Sequence, residues 1–307
     1  MRVVVIGAGP VGLEAAAQAS AAGHDVTVYD AGRIGSGVRT WSALRAWDPW
    51  SAWVGPAGVA LLGGPPDPGA FPTGREIVAG WLEPLAARLD ARALERVVGV
   101  ARGPRSALER PSRFRIVVEN VGGERSFDEA DLILDAGGAG AWGSAGTDGL
   151  PVQSENRAAS AGRLRYGPVD PDDLPPGPVL VVGDDAAVGP QIAALVAAGR
   201  EVHHAPHHGP AMDHPGCMVH PPVERFGRSA EGVTVHTAAG RLHAAQVVAL
   251  ATRRPDPSYV RELALAWTAQ DAPDPTSEPA YVPLGQRARG RAPISVAAAI
   301  AGIPSTL

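Results

Sequence analysis

The sequence predicts an α/β protein in which two doubly wound units with parallel sheets each open on a glycine-rich turn between a strand and a helix. Three observations carry this. Residues 2–32, RVVVIGAGPVGLEAAAQASAAGHDVTVYDAG, read as strand, glycine turn, helix and strand. The same spacing returns from Pro178 in PVLVVGDDAAVGPQIAALVAAGREVHH. No apolar run reaches the roughly 18 residues that would turn either unit into a membrane span, and the N-terminus enters a strand directly, with no signal-peptide pattern.

In the first unit, Val3 to Ile6 form a continuous apolar run suited to a strand buried on both faces. Gly7-Ala8-Gly9-Pro10-Val11-Gly12 fits G-x-G-x-x-G, followed by an alanine-rich helix to about Ala22 and a strand ending at Asp30. Each glycine has a physical reason. Gly7 makes the turn, Gly9 lets a pyrophosphate approach the backbone, and Gly12 lets helix and strand pack closely. The helix N-terminus offers free N–H groups to phosphate, and Asp30 lies where an acidic residue holds a ribose hydroxyl. Motif, strand, helix and acid in register make a specific signal, which a bare glycine motif is not.

In the second unit VLVVG is the strand, Pro190 to Gly199 the helix and EVHHA the next strand. Between the units, Thr73 to Leu89 reads as a helix with Thr73 and Glu76 spaced for a capping box. RFRIVVEN and ADLILDAGG read as strands, and PVDPDDLPPGP as a linker before the second unit.

At 307 residues, 45% hydrophobic and a net charge of -5, the chain has the length of two compact domains and no basic excess for a nucleic-acid partner. All 27 basic residues are arginine, which excludes Schiff-base lysines and lysine general bases. The single cysteine, Cys217, excludes an internal disulfide and a Cys-x-x-Cys pair. The expectation is a cytoplasmic protein with no membrane partner. No Gly-x-Ser-x-Gly elbow, Walker loop or His-Glu-x-x-His helix is present, which sets aside the hydrolase, nucleotide-triphosphatase and metalloprotease classes.

The arrangement resembles the two-dinucleotide-binding-domain flavoproteins, which include thioredoxin reductase-like enzymes, ferredoxin-NADP reductases and flavin-containing monooxygenases. Four segments carry the resemblance: GAGPVG with Asp30; ADLILDAGG, ending in Ala136-Gly137-Gly138; VVGDDAAVG; and QVVALATRRPDPSYV from Gln246 to Val260. It implies a Rossmann-like FAD-binding domain of residues 1–150 and 245–307, with a smaller NAD(P)-binding-like Rossmann domain, 151–244, inserted in it. It implies FAD contacts at Gly7, Gly9, Pro10, Val11, Gly12, Asp30, Ala31 and the turn Ala136 to Gly138. The family's C-terminal Gly-Asp pair is matched by Gly285-Gln286, where glutamine can still hydrogen-bond a ribityl hydroxyl.

Departures from the family pattern lie mainly in the second turn. Asp185 takes the second glycine position and Val188 the third. A carboxylate there repels a pyrophosphate. Where NADPH-preferring members carry arginines after the next strand, this chain has His203, His204, His207 and His208, and Arg253 replaces the glycine of the later Ala-Thr-Gly. The resemblance therefore implies FAD with a weakened or lost NAD(P)H site.

Two further segments are candidates for the chemistry. His203 to His220 holds six of the nine histidines and Cys217, but no standard zinc spacing, so no metal ligands are assigned. His207 is the candidate for proton transfer. RTWSALRAWDPWSAW carries Trp41, Trp47, Trp50 and Trp53. These either fill the core or line an aromatic pocket, with Arg39 and Trp41 as the lining candidates and Asp48 as a candidate base against the commoner surface or capping role. The reading is an FAD-dependent oxidoreductase, of reductase or monooxygenase type, acting on a small molecule in bacterial specialised metabolism and biosynthesis; a homodimer is compatible with it. The alternatives are a redox-silent cyclase or isomerase on the same scaffold, and a metal-dependent or binding-only protein using the histidine-rich loop.

Overall fold

A computed structural model describes residues 1–65, 67–103, 114–138, 140–147, 150–209, 214–254, 256–266, 278 and 280–284. Two five-stranded parallel sheets organise them. The first runs in the order Tyr281–Pro283, Leu132–Asp135, Arg2–Ile6, Asp25–Asp30, Asp90–Ala93. The second runs Cys217–Val219, Val202–Ala205, Val179–Val182, Gln246–Ala249, Leu164–Tyr166. Their central strands, VVVI and VLVV, are buried throughout, as expected where helices or hairpins cover both faces. A three-stranded antiparallel sheet accompanies each: Glu95–Arg102, Phe114–Asn120 and Arg125–Ala130 beside the first, Val223–Arg228, Val233–Thr237 and Gly240–Ala244 beside the second. Two short antiparallel strands, Ala141–Gly143 and Ala251–Arg254, pair where the chain passes between the units.

The strand Gln246–Ala249 pairs with Val179–Val182, so the chain leaves the second sheet only after Ala249, just beyond the expected boundary at 245. A strand buried on both faces carries no sequence mark of which sheet it joins. PVDPDDLPPGP lies within the second unit, after its strand Leu164–Tyr166, and Gln191 pins it by bonding both the N–H and the C=O of Val169.

The helix expected from Thr73 is present with its capping box, Thr73 and Glu76 bonding each other's backbone N–H. It is α-helical over Gly74–Ile77, π-helical over Val78–Leu82 and α-helical again over Glu83–Ala86. Pro84 has no N–H to give the preceding turn, and the widened turn sits directly before it.

The helix Pro10–Ala21 packs through alanine, which lets it lie close to the sheet. It also carries a buried acid. Glu14 accepts N–H bonds from Ala57 and Gly58, both at 2.9 Å, at the start of the helix Pro56–Leu62, and a bond from the Gln18 amide at 3.0 Å. A Cβ at Gly55 would stand 2.0 Å from the Glu14 carboxyl carbon, so this residue has no room for a side chain. Trp47 packs against the apolar nuclei of both units, and Ala194 of the helix Val188–Ala197 packs on the first. Among the described residues no helix is long and apolar enough to cross a membrane.

Glu14→Ala leaves two backbone N–H groups without their acceptor. It is expected to lower the unfolding free energy by about 3 kcal/mol, measured by urea denaturation. Glu14→Gln, which keeps one acceptor oxygen, should lose less. Wild-type stability in Glu14→Ala would show that the carboxylate is not what holds this helix start.

Candidate functional site

The first glycine turn is open. Gly7, at φ +99°, passes so near the neighbouring strand end that a Cβ would lie 2.3 Å from the Ala136 carbonyl oxygen. At Gly12 a Cβ would lie 1.9 Å from the Gly7 carbonyl oxygen. At Gly9 a Cβ would meet nothing within 4 Å, so the backbone faces free space. No described residue accepts the N–H groups of Gly9, Val11 or Gly12, and Pro10 has no N–H to satisfy. A helix start with open donors and room above its glycine has the form of a pyrophosphate cradle.

Asp30 is 8% exposed and largely committed to holding the turn. Its Oδ2 accepts from the Ala8 N–H at 2.7 Å, and its Oδ1 from the Gly32 N–H at 2.8 Å and the Ser36 hydroxyl at 3.3 Å. A carboxylate has about four acceptor positions, so one remains for a ribose hydroxyl. Ala31 is exposed beside it. Facing the turn across the sheet, Ala136 is buried while Gly137 and Gly138 are exposed, the last at φ +85°.

Asp135 underlies this facing turn. Its Oδ1 accepts the Gly137 N–H at 2.9 Å, and its Oδ2 accepts the hydroxyls of both Tyr259, at 2.7 Å, and Tyr281. Burial, reinforced by the Asp135 charge, pushes both phenols above the ordinary tyrosine range, so they act as donors. The three groups tie the last strand and the Ser258–Leu263 turn to the strand before Ala136. Gly285 and Gln286 lie outside the described residues.

The second turn keeps the fold and carries its own acceptors for the donors at the helix start, Ala187 and Val188. Gly183, at φ +115°, lies so near the next strand that a Cβ would stand 2.4 Å from the Leu250 carbonyl oxygen, the counterpart of Gly7 and Ala136. Asp185 folds back instead of projecting outward. It is 8% exposed, and its Oδ1 accepts the Ala187 N–H at 3.0 Å at the start of the helix Val188–Ala197. Arg253 reaches its Oδ2 at 3.9 Å and lies over the Trp142 ring, 4.6 Å from the centroid. Asp184 fills the end of the neighbouring strand. It accepts backbone N–H bonds from His207 at 3.1 Å, His208 at 2.8 Å and Gly209 at 3.0 Å. Partial burial disfavours its charge, but the donors of His208, Gly209 and His207 outweigh this and hold its pKa below the ordinary carboxylate value.

The remaining candidates are spread out. His207 Nε2 bonds the Ala145 carbonyl oxygen at 3.1 Å and His208 Nε2 that of Thr147 at 2.8 Å, so the histidine loop is docked on the 145–147 segment. Burial lowers the His207 pKa, opposed by the Ala145 carbonyl and Asp184. His203 bonds His220 at 2.9 Å, and His204 the Gly183 carbonyl oxygen at 3.0 Å. Among the described residues no group of three or more His, Cys, Asp or Glu side chains is arranged to hold a metal. Trp41, Trp47 and Trp53 form a triangle with ring centroids 5.3, 5.5 and 5.6 Å apart, and Trp41 is 7% exposed within the core. Arg39 pairs with Glu83 and bonds the Ile34 carbonyl. Asp48 is exposed, and its main-chain carbonyl accepts the Trp53 indole N–H.

Sequence reasoning missed Asp184, the Asp135–Tyr259–Tyr281 group and the placement of Arg253 on Trp142. The doubled aspartate of VVGDDAAVG and the aspartate before Ala136 were the available signals; the partners lie tens of residues away.

A family model described as pyridine nucleotide-disulphide oxidoreductase matches residues 2–33. No curated protein matches the sequence. Among solved structures, the bacillithiol disulfide reductase Bdr of Bacillus cereus is similar at 16% identity with a TM-score of 0.70, over 98% of this chain and 97% of that one. A flavin monooxygenase variant from Stenotrophomonas maltophilia is similar at 18% identity with a TM-score of 0.69, over 98% and 96%. Thioredoxin reductase of Lactococcus lactis is similar at 14% identity with a TM-score of 0.66, over 98% and 94%. With the family's turn at residues 2–33 and the fold matched along nearly its whole length, the chain has the two-dinucleotide-binding-domain architecture of the thioredoxin reductase-like and flavin monooxygenase-like FAD/NAD(P) oxidoreductases.

Proposed function

We propose that the chain binds FAD at its first turn and acts as an oxidoreductase on a small molecule, with no productive NAD(P)H site at the second turn. The observation that carries this is the contrast between the turns. The first leaves three backbone donors and the space above Gly9 free, whereas the second has an aspartate on the Ala187 donor and another on the donors of residues 207–209. Gly7, Gly9, Val11 and Gly12 would carry the pyrophosphate, Asp30 the adenosine ribose, and Ala136 to Gly138 the facing edge. FAD, when bound, supplies a two-electron acceptor; the chain supplies position and electrostatics.

A redox-silent reading, a cyclase or isomerase with FAD as a structural part, is favoured by the same closure of the second turn. Its chemistry would need shape and one acid or base. The candidates for that role are His207, which bonds the Ala145 carbonyl, and Asp48, which is exposed.

Purified protein is expected to be yellow, or to become so with added FAD, and its absorbance should not bleach with NADPH or NADH under anaerobic conditions. Rapid bleaching by either nucleotide would overturn the closed second turn, and failure to hold FAD would overturn the first. Relieving the closure with Asp184→Asn and Asp185→Gly together should raise nucleotide-driven bleaching by about tenfold or more, the scale of one charged contact.

Asp184 also gives a pH signature. Its folded pKa is depressed, so its stabilisation is present above its unfolded value, about 3.9, and is lost as pH falls through the folded value. The Tm difference between wild type and Asp184→Asn should therefore be constant at neutral pH and shrink below about pH 4. A difference independent of pH would show that the charge does no work there.

A further inference from the structure

A cavity of about 430 Å³ opens in the second unit, between the helix Glu155–Ser160 and the hairpin Val223–Arg228/Val233–Thr237, lined among others by Arg157, Arg163, Arg228, Ser154, Ser229 and Phe226. It lies at the opposite end of the parallel sheet from the glycine turn. Arg163 directly precedes the strand Leu164–Tyr166, and its carbonyl accepts the Val247 N–H at 2.9 Å at the amino end of the neighbouring strand. Gly183 follows the carboxyl end of Val179–Val182 in the same sheet. The cavity is therefore separate from both dinucleotide turns.

Its charge is one-sided. Among the described residues no carboxylate lines it. The nearest acid in sequence, Glu155, is 1% exposed and turned inward, where it accepts from the Ala145 and Val152 N–H groups and the Tyr166 hydroxyl. Glu231, in the turn that joins the two hairpin strands, is exposed and outside the lining. Elsewhere the described arginines are mostly committed: Arg2, Arg39, Arg92, Arg102 and Arg125 pair with acids, and Arg200 bonds two carbonyls. Arg157, Arg163 and Arg228 make no side-chain hydrogen bond or ion pair with any described residue. In a chain of net charge -5, three guanidiniums without an acidic partner give this one cavity a positive local field.

We propose that this cavity is a binding site for a small organic polyanion, a phosphate ester or a polycarboxylate, held by Arg157, Arg163 and Arg228 with the hydroxyls of Ser154 and Ser229. Guanidinium matches both oxyanions by paired N–H bonds. Phe226, 3% exposed, backs the cavity from the core, and the volume falls in the range of small-molecule sites, roughly 300–1,000 Å³. The site stands whether or not the first turn holds FAD.

The test is titration calorimetry of the full chain with pyrophosphate and with citrate, at two salt concentrations, on wild type and on Arg163→Gln, Arg157→Gln/Arg228→Gln and Arg88→Gln. Arg88 is exposed, unpaired and remote from the cavity. At least one probe should bind at millimolar concentration or below and weaken as salt rises. Arg163→Gln and the double variant should each weaken it by about tenfold or more, while Arg88→Gln should not. Tighter pyrophosphate binding assigns a phosphate ester and tighter citrate binding a polycarboxylate. Should Arg163→Gln fail to fold, the double variant, at two exposed positions, decides alone. Binding of neither probe, or binding indifferent to the cavity substitutions, overturns the proposal.

Discussion

Two backbone contacts set the geometry on which everything else rests. At Gly7 and again at Gly183 the chain turns from a central strand into a helix while touching the end of the adjacent parallel strand. A Cβ there would stand 2.3 Å from the Ala136 oxygen and 2.4 Å from the Leu250 oxygen. Both glycines have φ near the centre of the region closed to side chains, +99° and +115°. The neighbours answer with hydrogen bonds to the same strands, Ala136 N–H to the Ile6 carbonyl at 2.8 Å and Leu250 N–H to the Val182 carbonyl at 2.7 Å. Sheet register, helix entry and the position of each crevice follow from this contact. It is a demand of the fold, not of a ligand, so it persists in the second turn although the other two glycine positions of the motif have changed.

What distinguishes the turns is how the positive helix start is neutralised. Backbone donors gathered at such a place attract an anion. In the first turn they are open. In the second, Asp185 supplies the anion from within the loop, and Asp184 does the same for the donors of residues 207–209. A covalently tethered carboxylate needs no association entropy to occupy its donors, so an external phosphate competes at a disadvantage. Arg253 over Trp142 adds a third element, because the guanidinium that approaches Asp185 also covers the indole. The sequence change that looks like a damaged motif puts, in the fold, a carboxylate on a backbone donor at the helix start.

Legibility from sequence followed the range of the interactions. The first βαβ unit, the Thr73–Glu76 capping box and the buried strands VLVV and LILD depend on neighbours in the chain and were readable. The sheet of Gln246–Ala249 and the crossing pair Ala141–Gly143/Ala251–Arg254 are set by partners far away, and a short apolar strand does not name its partner. Arg39 looked like a pocket residue, yet Glu83 engages it. Trp41 and its neighbours were left between core and pocket; Trp41 is buried, the half-buried Trp47 and Trp53 pack on it, and Trp47 also packs on the second unit's core. The arginine cavity had no contiguous signal at all, since Arg163 and Arg228 meet only through the hairpin that folds back on the helix.

Under the proposed function, an electron path to a flavin would be constrained by the same chain. A dithiol relay needs two cysteines, and this chain has one. Cys217 sits on the edge strand of the second sheet, where burial raises its thiol pKa and keeps it protonated near neutral pH. With lysine absent, no side-chain amine can carry substrate as an imine. A flavin at the first turn would thus exchange electrons only with a molecule that reaches it directly. Asp185 and Arg253 fill part of the second turn, while the first turn faces the edge formed by Ala136 to Gly138. The Asp135–Tyr259–Tyr281 group makes that edge rigid: one carboxylate holds two phenols and the Gly137 N–H at once, so the facing turn is held in one position against the open glycine loop.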